Sequence, residues 1–197
     1  MSEPFIVGIG GTAAAGSSTE NALKIALAAA EQAGAKVKLF DGPFIASLPH
    51  YMTDDSKSSA AGAELIEAIR KADGVIIASP GYHGSISGLV KNAVDYLEET
   101  SKDARVYLDG IPVGLIATAY GWQATGSTLA TLRSIVHALR GWPTPLGAAI
   151  NSSGGIFKNG ECTDPGASMQ LSLVGKQVHD FASLRITNPQ AMETGPA

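Results

Sequence analysis

The sequence predicts an α/β protein, a three-layer sandwich in which helices cover both faces of a five-stranded parallel sheet. Three observations carry that expectation. Short runs rich in Val and Ile alternate with longer segments of helical period; the short runs are continuously apolar; and the alternation persists to about residue 184. A strand buried on both faces has no polar side to show, and a parallel sheet covered by helices buries both. At 197 residues the chain can bury ~70% of its unfolded surface in one core. Residues 1–184 are therefore expected to form one domain and residues 185–197 a loose tail.

In chain order, "FIVGI" (5–9) reads as the first strand, and "STENALKIALAAAEQ" (18–32) as the first helix, with Ser17 and Ser18 as candidate caps. "VKLF" (37–40) is the second strand, "SAAGAELIEAIRK" (59–71) the next helix and "GVIIA" (74–78) the third strand. Pro80 and Gly81 are expected to end that strand, and Ser85 or Ser87 to cap a helix over 87–99. "VGLIA" (113–117) is the fourth strand, followed by a helix over 126–139 capped by Ser127 or Thr128; "PLGAAI" (145–150) is the fifth strand and 167–184 the last helix. The polar, Gly- and Pro-containing segments 41–58 and 151–166 read as loops.

Composition removes several function classes. The net charge is −4 and the basic residues are scattered, which argues against a nucleic-acid partner. "MSEPFIVGIGG" has neither the basic flank nor the apolar length of a leader, and no run approaches a membrane span, so a cytoplasmic protein with no membrane partner is expected. Cys162 is the single cysteine, which excludes an intrachain disulfide or a thiolate metal site, and His50, His137 and His179 show no ligand spacing. No metal is expected.

In an open parallel sheet the ligand lies beyond the carboxyl ends of the strands, where the strand order reverses. In the flavodoxin-like order 2-1-3-4-5 that point falls between the first and third strands, whose following loops are the most unusual in the chain. The first, "GIGGTAAAGSSTENAL" (8–23), accepts three readings. As a P-loop it has Gly11 and Gly16 at the right spacing, but Ser17 stands in the place of the phosphate-binding lysine. As a dinucleotide fingerprint it offers Gly8, Gly10 and Ala13, with Asp41 available for a ribose. As a monophosphate cradle it supplies the hydroxyls of Thr12, Ser17, Ser18 and Thr19 and the first N–H groups of the helix. The second loop, "SPGYHGSISGLVKNAVDYL" (79–97), offers a flat face and a polar edge in Tyr82 and His83, with Gly84 and Gly88 permitting close approach to a planar ligand. Lys91 and Asp95 read as a helix-surface pair.

Together these stretches resemble the NAD(P)H-dependent FMN reductase family, flavodoxin-like enzymes that include quinone, azo-dye and chromate reductases. The similarity spans roughly residues 5–150. "GTAAAGSST" stands where the family pattern has G-S-x-R-x-x-S-x-N, and "PGYHGSISGLVKNAVDYL" closely follows P-x-Y-x-x-S-x-x-G-x-L-K-N-x-x-D-W/Y, with Leu89 and Val90 ahead of Lys-Asn where the pattern has a single leucine; the second is the more specific of the two. The resemblance implies that Thr12, Ser17 and Thr19, with Ser18 beside them, hold the FMN phosphate. It implies that Pro80, Gly81, Tyr82, His83, Gly84 and Ser85 line the flavin, and that Thr118, Ala119, Tyr120 and Gly121 lie at its other edge. No side chain is expected to be catalytic, because the flavin carries the chemistry: hydride from NADPH or NADH to FMN N5, then electrons to a second flavin, a quinone or a similar acceptor. Ala14 stands where the pattern has arginine, so the preference between NADPH and NADH stays open. A homodimer or homotetramer and a flavin-dependent monooxygenase partner are further implications. A flavodoxin-type electron carrier and a non-redox nucleotide-binding module are the alternatives.

Overall fold

The computed structural model describes residues 3–188. Strands β1 (Phe5–Gly10), β2 (Lys36–Phe40), β3 (Gly74–Tyr82) and β5 (Pro112–Ala119) lie in the order β2-β1-β3-β5, all parallel. The fifth position is shared by β6 (Trp142–Pro143) and β7 (Ala148–Asn151), both parallel to β5. Counted by position, this is the predicted 2-1-3-4-5 order. The predicted fifth strand begins inside the break between its two pieces. Pro143 and Pro145 have no N–H to give a ladder, and the chain leaves β5 after Val113 and rejoins it opposite Ile116.

The helices are α1 (Ser18–Gln32), α2 (Gly42–Ala46), α3 (Asp54–Lys57), α4 (Ala60–Lys71), α5 (Gly88–Asp95), α6 (Trp122–Ala138) and α7 (Pro165–Thr187). Side-chain caps explain most of the starts. Ser17, Ser59 and Ser87 each accept an N–H from the first turn of the helix that follows, and Asp164 does so ahead of Pro165. The segment 41–58, expected as a loop, contains α2 and α3, which are too short to show a helical period; Asp41 caps α2 from Phe44 N–H at 2.9 Å. The segment 151–166 contains a small antiparallel hairpin, β8 (Phe157–Lys158) with β9 (Glu161–Cys162). After α5 the chain continues as a 3-10 turn over Tyr96–Thr100.

Two expected boundaries are corrected. The third strand does not stop at Pro80–Gly81 but runs to Tyr82, because Gly81 and Tyr82 pair with β4 (Ser85–Ile86) in an antiparallel hairpin. The last helix continues past residue 184 to Thr187, with Arg185 approaching Asp73 at 3.9 Å. The remainder of the expected tail, 189–197, lies outside the described residues.

Alternate residues of the strands feed two cores. Val7, Ile9, Val75, Ile77, Val113 and Leu115 face α4, α5 and α6, while Ile6, Ile76, Ala78 and Ile116 face α1 and α7. β1, β3 and β5 look uniformly apolar because both of their faces are covered, whereas β2, at the edge, carries Lys36 and Lys38.

At the end of α4 a distant residue supplies the cap: the Arg105 guanidinium donates to the carbonyls of Ile69, Arg70 and Ala72, the bond to Arg70 measuring 3.1 Å. Helix-terminal carbonyls have no intrahelical donor, so this cation satisfies them and complements the negative end of the helix dipole. Arg105→Ala is expected to lose about 2 kcal/mol, the range of hydrogen bonds to a charged group, read as a lower urea midpoint at unchanged slope.

Candidate active site

Beyond the carboxyl ends of β1, β3 and β5 lies a cleft of about 1140 Å³. Three chain segments build it. The first is the loop from Gly11 to Ser17, fixed by bonds around Gly16. The Gly16 N–H donates to the Glu20 carboxylate at 3.1 Å, and the Asn21 amide donates to the Gly16 carbonyl at 3.1 Å. Ser17 Oγ accepts the Glu20 N–H at 3.2 Å, so Ser17 caps the helix while the Glu20 carboxylate takes the N–H of the residue before it, Gly16. Glu20 is buried with its charge met by Lys24 Nζ at 2.5 Å. Among the described residues the N–H groups of Ser18 and Thr19 take no protein acceptor, which leaves two donors of the first turn for a ligand.

The second segment is the β3–β4 hairpin. His83 and Gly84 form a two-residue turn with φ of 51° and 88°, the both-positive pattern of a type I′ hairpin. The turn projects Tyr82, which is 52% exposed, at the cleft wall. The base of the hairpin is fastened by Ser79, whose Oγ accepts the Ser87 N–H at 3.0 Å, while Ser87 caps α5 through Val90 N–H at 3.2 Å. Further along α5, Lys91 and Asp95 form the expected surface pair at 2.5 Å.

The third segment runs from the end of β5 into α6. Thr118 and Ala119 close the strand and Tyr120 and Gly121 lead into the helix. Buried Thr118 meets buried Thr19 with 2.6 Å between the hydroxyl oxygens, joining the third segment to the first.

Of the residues expected to bind a ligand, the structure brings Thr12, Ser17, Ser18 and Thr19 to the cleft, with Pro80, Gly81, Tyr82 and Gly84, and with Thr118, Ala119, Tyr120 and Gly121. It does not bring His83 or Ser85 to the lining. His83 is exposed at the hairpin tip, and the Ser85 carbonyl accepts from Thr128 Oγ1 at 3.4 Å. Ser127 and Thr128 do not cap α6, because that helix begins four residues earlier than expected, after Gly121. Its early start carries Gln123, Ala124 and Ser127 onto the cleft wall, where sequence reasoning had not placed them. Ser152 also lines the cleft; its N–H donates to the Ala119 carbonyl at 2.8 Å, a contact whose only sequence signal is its place just past the fifth strand. Asp41, the acid of the dinucleotide reading, is occupied as the cap of α2.

Among the described residues no charged side chain lines the cleft, and no group of His, Cys, Asp and Glu could hold a metal ion. The lining offers hydroxyls, amide donors, apolar walls and aromatic faces. This lining is suited in its chemistry to a ligand with an oxygen-rich end and a planar end.

Comparison with known proteins agrees with this chemistry. A family model described as NADPH-dependent FMN reductase matches residues 4–154. An FMN-dependent NADPH-azoreductase of Staphylococcus aureus is 38% identical over 90 residues, covering 46% of this chain and 44% of that protein. The chain thus spans less than half the length of the curated relative it matches. Among solved structures, FerB, a flavoenzyme NAD(P)H:(acceptor) oxidoreductase from Paracoccus denitrificans, superposes with a TM-score of 0.70 at 22% identity, covering 92% of this chain and 98% of that one. The apo form of EMOB, an NADH:FMN oxidoreductase, gives 0.69 at 21%, covering 98% and 92%. A flavodoxin, WrbA-like protein from Agrobacterium tumefaciens gives 0.62 at 17%, covering 92% and 99%. At these identities the structural likenesses establish the fold.

Proposed function

The chain belongs to the NADPH-dependent FMN reductase family, and from that premise we propose that it is an NAD(P)H-dependent flavin oxidoreductase using FMN in the cleft described above. The observation that carries the proposal is the convergence, at the switch point of the sheet, of a cation-free donor loop and an aromatic hairpin. The donor set fits the cofactor: the hydroxyls of Thr12, Ser17 and Ser18 and the free N–H groups of Ser18 and Thr19 suit a phosphate, while Pro80, Gly81, Tyr82 and Tyr120 suit a planar ring. The volume, about 1140 Å³ in a half-open cleft, is ample for a ligand of this size.

When bound, FMN supplies the redox chemistry, accepting a hydride from NADPH or NADH and passing electrons to an acceptor. The chain's residues do the rest. The first turn of α1 anchors the charged end with fixed dipoles in place of a mobile cation. The apolar wall from Pro80 to Tyr82 restricts water on one side, and the open mouth beside Tyr120 leaves the other side free for donor and acceptor in turn. Flavins, quinones and azo compounds are the proposed acceptors. We further assign the protein to the cytoplasm, in keeping with the absence among the described residues of a helix long and apolar enough to cross a membrane. A homodimer or homotetramer is proposed through the groove between α5 and α6, whose apolar lining includes Val94, Ile135 and Leu139; size-exclusion chromatography tests it.

The decisive experiment mixes protein, FMN and NADPH or NADH without oxygen. Rapid bleaching of the yellow bound flavin is expected. Bound flavin that stays oxidised would indicate an electron carrier, and protein that takes up no FMN would sink the proposal.

A further inference from the structure

Thr19, in the first turn of α1, and Thr118, at the carboxyl end of β5, are both buried at the cleft, 2% and 3% exposed. Their hydroxyl oxygens are 2.6 Å apart, and neither has another protein hydrogen-bond partner among the described residues. Each threonine hydroxyl carries one hydrogen and two lone pairs. Whichever hydroxyl donates within the pair uses one hydrogen, and the accepting hydroxyl keeps its own. That second hydrogen has no protein acceptor, whereas buried donors as a rule have one. The cleft that both residues line is where a ligand atom can provide it.

We infer that Thr19 and Thr118 act together as one composite donor, delivering a single hydrogen bond to an oxygen of the bound cofactor, on its phosphate or on its ribityl chain. The inference rests on the FMN reading above. The hydroxyl that accepts within the pair is the one that faces the ligand, and the bond it receives polarises its own O–H and strengthens the donation. Thr19 and Thr118 are in this sense positioning residues: they hold the cofactor and do not touch the electrons it carries.

The test is a set of dissociation constants for FMN, riboflavin and lumiflavin, read from the quenching of flavin fluorescence, for the wild type, Thr19→Val, Thr118→Val, the double variant, Thr19→Ser and Thr118→Ser. Loss of the ligand-facing hydroxyl is expected to weaken FMN binding ~10-fold or more, and loss of its inner partner by less. The double variant should bind no worse than the weaker single variant, since the bond is already gone, and the serine variants should bind nearly as the wild type. An oxygen on the phosphate leaves riboflavin affinity unchanged; an oxygen on the ribityl chain lowers FMN and riboflavin affinity together. Lumiflavin, which carries neither group, should be unaffected in both cases. Wild-type affinity for FMN in both valine variants, losses that add in the double variant, or an equal loss for lumiflavin would overturn the inference while leaving the cofactor reading intact. A wild-type protein that binds no flavin overturns both. Circular dichroism checks the fold of each variant, and alanine replaces any valine that fails to fold.

Discussion

Gly175→Ala should unfold at a much lower urea concentration than the wild type, with a loss of about 3 kcal/mol or more, the upper range for overpacking a core. Gly175 lies where α7 crosses α1, and a Cβ there would fall 1.9 Å from the Ala26 carbonyl oxygen, 2.8 Å from its carbon and 3.2 Å from the Ala30 nitrogen. The obstruction is backbone, which has no alternative rotamer. Nor can α7 simply lift away, because Val174 and Val178 on either side fill the space above Gly114 and Gly74 in the sheet. Gly126→Ala, in exposed helix with nothing within 4 Å of the new methyl, is the control. It should gain about 1 kcal/mol from helix propensity. Equal stability of Gly175→Ala and wild type would show that the two helices have slack the packing does not suggest.

Gly42→Ala should strike binding harder than stability. A Cβ at Gly42 would stand 1.7 Å from the Thr12 carbonyl oxygen and 2.7 Å from the Thr12 nitrogen and carbonyl carbon. Because α2 is held in place by Ile45, fully buried in the core, the exposed loop carrying Thr12 is the part that has to move. A hydrogen bond to a charged group contributes about 1.5–3 kcal/mol, so losing one or more from the displaced loop is expected to raise the FMN dissociation constant ~10-fold or more with the fold retained. Titration followed by flavin fluorescence measures it, and a folded variant with unchanged FMN affinity would contradict the assignment of the Thr12 loop to the cofactor.

How legible the fold was depends on the range of the interactions that decide each element. β1, β3 and β5 were readable because burial on both faces leaves an uninterrupted apolar run, and α1 and α5 because Ser17 and Ser87 announce their starts. The start of α6 was not readable: its cap is Gly121, which makes no side-chain bond, so the eye moves on to the hydroxyls of Ser127 and Thr128. The β3–β4 hairpin was missed because Pro and Gly at 80–81 signal a stop locally, and only pairing with Ile86 and Ser85 keeps the strand going. The same distinction governs the site. Loops that carry their own signature, the hydroxyl-rich stretch after β1 and the Tyr82 segment after β3, could be named in advance. Ser152, and the pairing of Thr19 with Thr118, depend on where distant strands end.

The break between β6 and β7 also bears on how copies of this chain can meet. An uninterrupted edge strand is a template on which another chain can extend the sheet, a route to aggregates. Here one margin is cut into two short pieces separated by a proline-containing crossing. At the other margin β2 carries Lys36 and Lys38, whose ammonium groups an added strand would have to desolvate or displace. Sheet extension is thus discouraged at both margins, and self-association is left to helical faces and loops, where it can stop at a closed number of subunits.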